Sequence, residues 1–211
     1  MTAVRSFTFI SPIIFAFVVI VLGFITPGYD HLNYTISRLA IEKYGWIQSI
    51  NFLQLALGIH LTGIQVTKIL ENQKTEDAII RIIFRICSVF LVIAAFVPTD
   101  PIENVPLDYT LLTPTGLVHI SLVILFLIFS PLGIVRLARI FRKEKILKSL
   151  APFTVAAGFT ALIGSVLWFA FYFLGIYLEY RGIFQKAIAV PVLLWLILLN
   201  NTVLQKPRTI Q

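Results

Sequence analysis

The chain has 211 residues, 58% of them hydrophobic and 13% charged, with a net charge of +7. A soluble domain is roughly 45–50% apolar and about 25% charged, and the apolar excess here lies in blocks longer than the ~18 residues that mark a membrane-spanning helix, so a soluble enzyme or binding module is excluded. A nucleic-acid surface is excluded too, because the basic residues sit at the ends of the apolar blocks, as they do in polytopic membrane proteins.

Six apolar blocks cover residues 7–26, 46–68, 79–97, 114–137, 150–178 and 183–204. Behind the first stands only Arg5, and its run is too long for a signal-peptide core. The "TPGY" that follows has no small-x-small cleavage site, so the block reads as a retained helix. Pro27-Gly28 ends it, and a polar loop, "TPGYDHLNYTISRLA", occupies residues 26–40. In the second block Gln48, Asn51, Gln54, Gly58, Thr62 and Gln65 recur at spacings of three and four. That puts them on one helical face, which in lipid turns toward the bundle. Such a stripe serves either interhelical hydrogen bonding or a hydrophilic cavity wall. His60 lies off the stripe and reads as structural.

The third block holds the single cysteine, Cys87, which has no partner for an intrachain disulfide and no metal-motif spacing. Arg81 and Arg85 there are long enough to reach the nearer membrane surface. Pro98 ends this block. The loop "PTDPIENVPLDYTLLTPTG", residues 98–116, contains Asp100, Glu103 and Asp108 and no lysine or arginine. Thr113-Pro114 reads as an N-cap with proline in the first helical turn, and His119 follows about 7–8 Å into the fourth helix. Pro131 and Pro191 fall inside the fourth and sixth blocks, where proline removes a helical hydrogen bond. The basic run "RLARIFRKEKILK" between blocks four and five reads as an inner loop facing anionic lipid. Ala157, Ala161 and Ser165, with Gly158 and Gly164 near them, let neighbouring backbones approach block five closely.

Placing the N-terminus inside leaves Arg38, Lys43, Arg181 and Lys186 as the four outer cations and the other 13 of the 17 lysines and arginines inside. By the positive-inside rule both termini are cytoplasmic. The expected fold is all-α: one six-helix transmembrane bundle over residues 1–211, with both termini cytoplasmic, in the cell membrane.

On the outer side this topology collects Tyr29, Asp30, His31, Thr35, Ser37 and Arg38 from the first loop, Asp100, Glu103 and Asp108 from the second, and Glu179, Tyr180 and Arg181 from the third. Asp100 ends one helix and His119 opens the next. An Asp–His pair can orient a general base, hold a histidine tautomer or supply two metal ligands, or simply satisfy two polar groups near the interface. The expectation is that these two side chains meet, directly or through one water, with Ser37 or Arg38 beside them.

"YDHLNYTISRLA", "FVPTDP" and "TPTGLVHISL" together resemble the DUF998 family of bacterial and archaeal membrane proteins. Its pattern has a "TISELG"-like loop after the first helix, an "FPxDP"-like end to the third and a "T-x-x-G-x-x-H"-like start to the fourth. The matching residues are Thr35, Ile36, Ser37 and Leu39; Pro98, Asp100 and Pro101; and Thr113, Gly116 and His119. Arg38 stands where the pattern has an acid and Ala40 where it has glycine, and Arg38 then has Asp100 or Asp30 as prospective partners. The resemblance implies about six helices and brings no activity with it.

Two functions follow. The first is a membrane protein that binds or moves a small or lipid-like molecule at a polar outer mouth. Its ligand-binding candidates are Asp30, His31, Thr35, Arg38, Asn51 and Gln54. The second is a membrane-embedded hydrolase or lipid-modifying enzyme with Asp100, His119 and Ser37 as catalytic candidates. That version admits a metal held by Asp100, His119 and His31, although no His-Glu-x-x-His or Gly-x-Ser-x-Gly motif is present and a zinc site needs three or four protein ligands. The cofactor stays open, as does the oligomeric state. The expected partners are the bilayer and a lipid or small-molecule ligand, with no nucleic acid.

Overall fold

A computed structural model describes residues 2–70, 74–101 and 108–205. Among these the only regular elements are helices: α1 (Thr2–Ile25), α2 (Gly45–Ile69), α3 (Lys74–Phe96), α4 (Pro114–Phe141), α5 (Ala151–Leu174) and α6 (Arg181–Leu204), with short 3-10 turns between them. All six are long and apolar enough to cross a membrane. Lipid offers no hydrogen-bond partner, so a spanning segment must satisfy its own backbone, and a helix does this within itself.

Chain punctuation sets the helix ends. Thr113 caps α4, its hydroxyl accepting from the Gly116 amide at 3.0 Å, and Pro114 occupies the first turn, where no amide is needed. The fifth helix ends earlier than the apolar run predicts, at Leu174 rather than 178. Gly175 takes a left-handed conformation (φ 68°), which ends the helix, and Tyr177 (φ 54°) turns the chain into Leu178–Tyr180. Hydropathy continues past this point, so the apolar run alone did not mark the stop. Pro12 joins Pro131 and Pro191 as a proline inside a helix.

Each helix packs against its neighbours in sequence, and α6 packs against α1, which closes a ring. The α2 stripe serves helix packing. Ser11 of α1 and Gln54 exchange hydrogen bonds, the Ser11 hydroxyl donating to Gln54 Oε1 at 2.9 Å and Gln54 Nε2 donating to the Ser11 carbonyl at 3.2 Å. Asn51 Nδ2 donates to the Phe15 carbonyl at 3.2 Å, Gln65 reaches Thr8, and Thr62 donates to Asn200 of α6 at 3.1 Å. Of the two uses open to this stripe, the structure has interhelical hydrogen bonding. Small residues do the same for α5: Gly158 lies against Val135 and Ile134 of α4, and Gly164 against Ile188 of α6.

At the end of the ring that carries the chain termini, the centre is filled. Phe84 of α3 stacks on Trp195 of α6 (ring centroids 6.2 Å apart), Trp195 Nε1 donates to Thr154 of α5, and Leu199 and Phe141 are fully buried nearby. The opposite end carries the α1–α2 loop, the described ends of the α3–α4 connection and the α5–α6 corner, and here the centre is not filled.

Candidate functional site

Three local structures build the loop end. The first joins α3 to α4. The Asp100 carboxylate accepts from the Thr113 amide (2.8 Å) and the Thr113 hydroxyl (2.7 Å). It lies so close over the Gly116 backbone that any side chain there would collide with it. One turn further into α4, His119 Nδ1 meets the Val97 carbonyl at 2.7 Å. A carbonyl only accepts, so Nδ1 carries the proton, and neutral His119 keeps Nε2 as a lone-pair acceptor. The motif residues Asp100, Thr113, Gly116 and His119 therefore form one lock between two helices.

The second is the α1–α2 loop, seated on the start of α6. Gly182 has no side chain, and the Tyr34 and Leu32 carbonyls and the Asn33 backbone pass over it. The Ile183 amide donates to the Leu32 carbonyl at 2.9 Å, and Gln185 Oε1 accepts from the Ile36 amide at 2.7 Å. Lys186 Nζ donates to the carbonyls of Tyr34 (2.7 Å) and His31 (3.0 Å) and lies 5.4 Å from the Tyr29 ring centre. A sequence-local bond pattern supports this seat. The Asp30 carboxylate accepts from the Leu32 amide at 2.8 Å, and the Tyr29 hydroxyl lies 3.0 Å from the Thr35 carbonyl. Burial, with Asp30 assisting, holds the Tyr29 phenol well above its ordinary range. The His31 ring packs over Gly23 between Phe24 and Tyr29, and burial together with nearby Lys186 lowers its pKa.

The third is the α5–α6 corner. Trp168 Nε1 donates to the Arg181 carbonyl at 3.1 Å, and Arg181, a residue only 9% exposed, holds its guanidinium 5.8 Å from the Tyr172 ring centre.

These three structures surround a polar pocket of about 50 Å3 whose wall includes Thr35, Ser37, Arg38, Asp100, His119 and Arg181. Beneath it an apolar cavity of about 150 Å3 runs down the centre of the ring, between Phe52, Leu55, Phe90, Phe126, Val192 and Leu196 among others. Ser37, His119, Val123 and Gln185 line both. His119 is 3% exposed, and its Nε2 is buried without a hydrogen-bond partner. At the lower end of the cavity Pro131 has no amide to offer the Leu127 carbonyl.

The expected outer residues are thus divided. Ser37, Thr35, Arg38, Asp100 and His119 come together around one pocket. Asp30 and His31 line neither space: Asp30 organises its own turn and His31 packs against α1. Asn51 and Gln54 also line neither, being used in the α1–α2 contact. Asp100 and His119 share the pocket without bonding each other, because Thr113 and the Val97 carbonyl take their hydrogen bonds. The Thr35 and Ser37 hydroxyls lie 3.3 Å apart, and it is Gln185 of α6 that holds their loop. Arg38 Nε pairs with Glu42 at 2.6 Å, an acid four residues on in the chain. Among the described residues no three of His, Cys, Asp and Glu gather to hold a metal, and the trio Asp100, His119 and His31 is not assembled. Glu103 lies outside the described residues.

Sequence reading missed Gln185, Trp168 and Tyr172. A signal for Gln185 existed, as a lone glutamine in an apolar helix one turn after Arg181. Trp168 and Tyr172 share a face of α5 at a spacing of four, but aromatic residues are common enough in such helices to carry no signal.

The family model for DUF998, described as a protein of unknown function, matches residues 9–200. The chain belongs to the DUF998 family. No curated protein and no solved structure matches it. In this DUF998 protein the matched residues fall on the α1–α2 loop and the α3–α4 lock, and both of these form walls of the polar pocket.

Proposed function

We propose that this DUF998 protein binds an amphiphilic small molecule at the outer mouth of a single six-helix bundle in the cell membrane, with both termini cytoplasmic. The orientation rests on the excess of lysine and arginine at the termini end. One observation carries the binding reading: a polar pocket and an apolar cavity share a wall of Ser37, His119, Val123 and Gln185, and His119 there is buried with Nε2 unpartnered. A buried polar atom without a partner is costly, and a ligand polar group at the junction would satisfy it. Sites for small molecules are mostly apolar, with a few placed polar groups that fix orientation, and this pair of spaces has that composition.

The test is native mass spectrometry of the full chain purified in a mild detergent, against Val123→Trp, which fills the junction. A co-purifying amphiphile present in the wild type and lost in the variant supports the reading. An adduct that persists in Val123→Trp, or none even after incubation with membrane lipid extract, overturns it.

One feature favours a second reading, hydrolysis of the bound amphiphile. The Val97 carbonyl fixes His119 as the tautomer whose Nε2 can take a proton from water. Turnover of an ester amphiphile that is abolished in His119→Gln, with folding retained, would support it.

A further inference from the structure

The two ends of this space differ in charge and shape. In the upper pocket Arg38 and Arg181 line the wall, with Asp100 the one acid among its described lining residues, and Arg38 Nε is paired with Glu42 beside that wall. Both carboxylate oxygens of Asp100 are already engaged by Thr113. Arg38 lies over the Tyr34 ring and Arg181 over the Tyr172 ring, at 5.3 and 5.8 Å. Each guanidinium is thereby braced on an aromatic face, and the planar fork of arginine matches the oxygens of a carboxylate or phosphate. Below the junction the lining is apolar apart from Ser37, His119, Ser130 and Gln185, with no charged residue among the described residues that line it. The apolar cavity is lined by residues of α1, α2, α3, α4 and α6 and by Ile36 and Ser37 of the α1–α2 loop.

Building on the amphiphile reading, we infer that the ligand is a single-chain anionic amphiphile. Its acidic headgroup sits between Arg38 and Arg181, with a protonated oxygen donating to His119 Nε2, and its one hydrocarbon chain runs down the central cavity. A monoprotonated phosphate monoester meets all three demands: oxygens for the guanidiniums, a hydroxyl for the imidazole, and one chain. A fatty acid meets two of them when ionised, having no proton to give. A two-chain phospholipid would bring twice the hydrocarbon to a cavity of about 150 Å3.

The probes are hexadecyl phosphate, palmitate, 1-monopalmitoylglycerol and inorganic phosphate, each used to displace a fluorescent fatty-acid analogue from the full chain in non-ionic detergent. Hexadecyl phosphate should bind at least about tenfold more tightly than the neutral monoglyceride, with palmitate between them, and inorganic phosphate should not compete. Arg181→Gln should remove that advantage, weakening the phosphate about tenfold and leaving the monoglyceride unchanged, which is what loss of one charge-assisted contact produces. Arg181→Lys keeps the charge and should retain part of the preference, so a variant that misfolds is recognised by loss of monoglyceride binding as well. Val192→Trp, which blocks the chain path, should abolish binding of every long-chain probe.

Equal binding of neutral and anionic probes, with Val192→Trp still blocking both, overturns the anionic assignment and leaves the amphiphile reading standing. Displacement by inorganic phosphate alone makes the site a small-anion pocket and overturns the chain assignment. If no probe binds, both readings fall. A parallel extraction and phosphorus assay of the purified protein separates a ligand taken from the membrane, which co-purifies, from one taken from the medium, which does not.

Discussion

The α3–α4 lock makes a prediction with an unusual sign. In the wild type Gly116→Ala adds a methyl where the Asp100 carboxylate lies, so the carboxylate must leave and its two bonds to Thr113 are lost. Hydrogen bonds to charged groups contribute about 1.5–3 kcal/mol each, but this lock is solvent-accessible and water replaces part of the loss, so about 1–2 kcal/mol for the pair is expected. Against this, alanine gains roughly 0.5–1 kcal/mol over glycine in a helix. Gly116→Ala should therefore be neutral to destabilising by about 1.5 kcal/mol in the wild type. In an Asp100→Ala background nothing remains to collide with, and the same change should stabilise by about 0.5–1 kcal/mol. The assay is thermal unfolding of the four proteins of the cycle in one detergent, followed by circular dichroism. An identical effect of Gly116→Ala in both backgrounds would refute the claim that the glycine exists to admit the carboxylate.

Other positions give independent tests. Gly182→Ala drives a methyl into the Leu32 and Tyr34 carbonyls; it should unseat the α1–α2 loop, seen as proteolysis within residues 28–36 that the wild type resists. Asn200→Ala removes the Thr62 contact between α2 and α6 and should cost about 0.6 kcal/mol, the average for such bonds in membranes, and no more than about 1.7 kcal/mol, measured by unfolding in detergent. Burial and Lys186 lower the folded-state pKa of His31 below the roughly 6.5 of an unfolded chain. Its contribution to stability is then complete above pH ~6.5 and is lost as pH falls through the folded value. His31→Phe should flatten the melting-temperature profile between pH 7.5 and 5, and an unchanged profile would remove His31 as the cause. Cys87, buried in the core, should resist a charged maleimide until the protein unfolds, and rapid labelling of the native protein would contradict its placement.

Most of the helical architecture was legible because lipid imposes it. Six apolar blocks became six helices, and the proline and glycine stops held at α1, α3 and the start of α4. The miss at the end of α5 has a local cause: Gly175 adopts a left-handed conformation inside a run that stays apolar through Leu178, so hydropathy carries no mark of the stop. The polar face of α2 was legible as inward-facing, but its use was not. Asn51 and Gln54 have the same residue types whether they line water or pair with Ser11 and Phe15, and only the position of α1 decides between the two.

The candidate site divides along the same line. Composition and spacing by themselves determined a multi-span helical membrane protein with a polar loop end, because apolar length, proline position and helical period are one-dimensional properties. They also brought forward Ser37, Thr35, Arg38, Asp100 and His119. Which of these would touch was a matter of tertiary structure alone. Asp100 had Thr113 as a nearer partner than His119, Arg38 had Glu42, and His31 was drawn onto Gly23. The pocket wall also needs Gln185, Trp168, Tyr172 and Arg181, from helices 130 or more residues beyond the first loop. A hydrogen bond or a cavity depends on separations of a few ångströms, and these exist only once the ring has closed α6 onto α1.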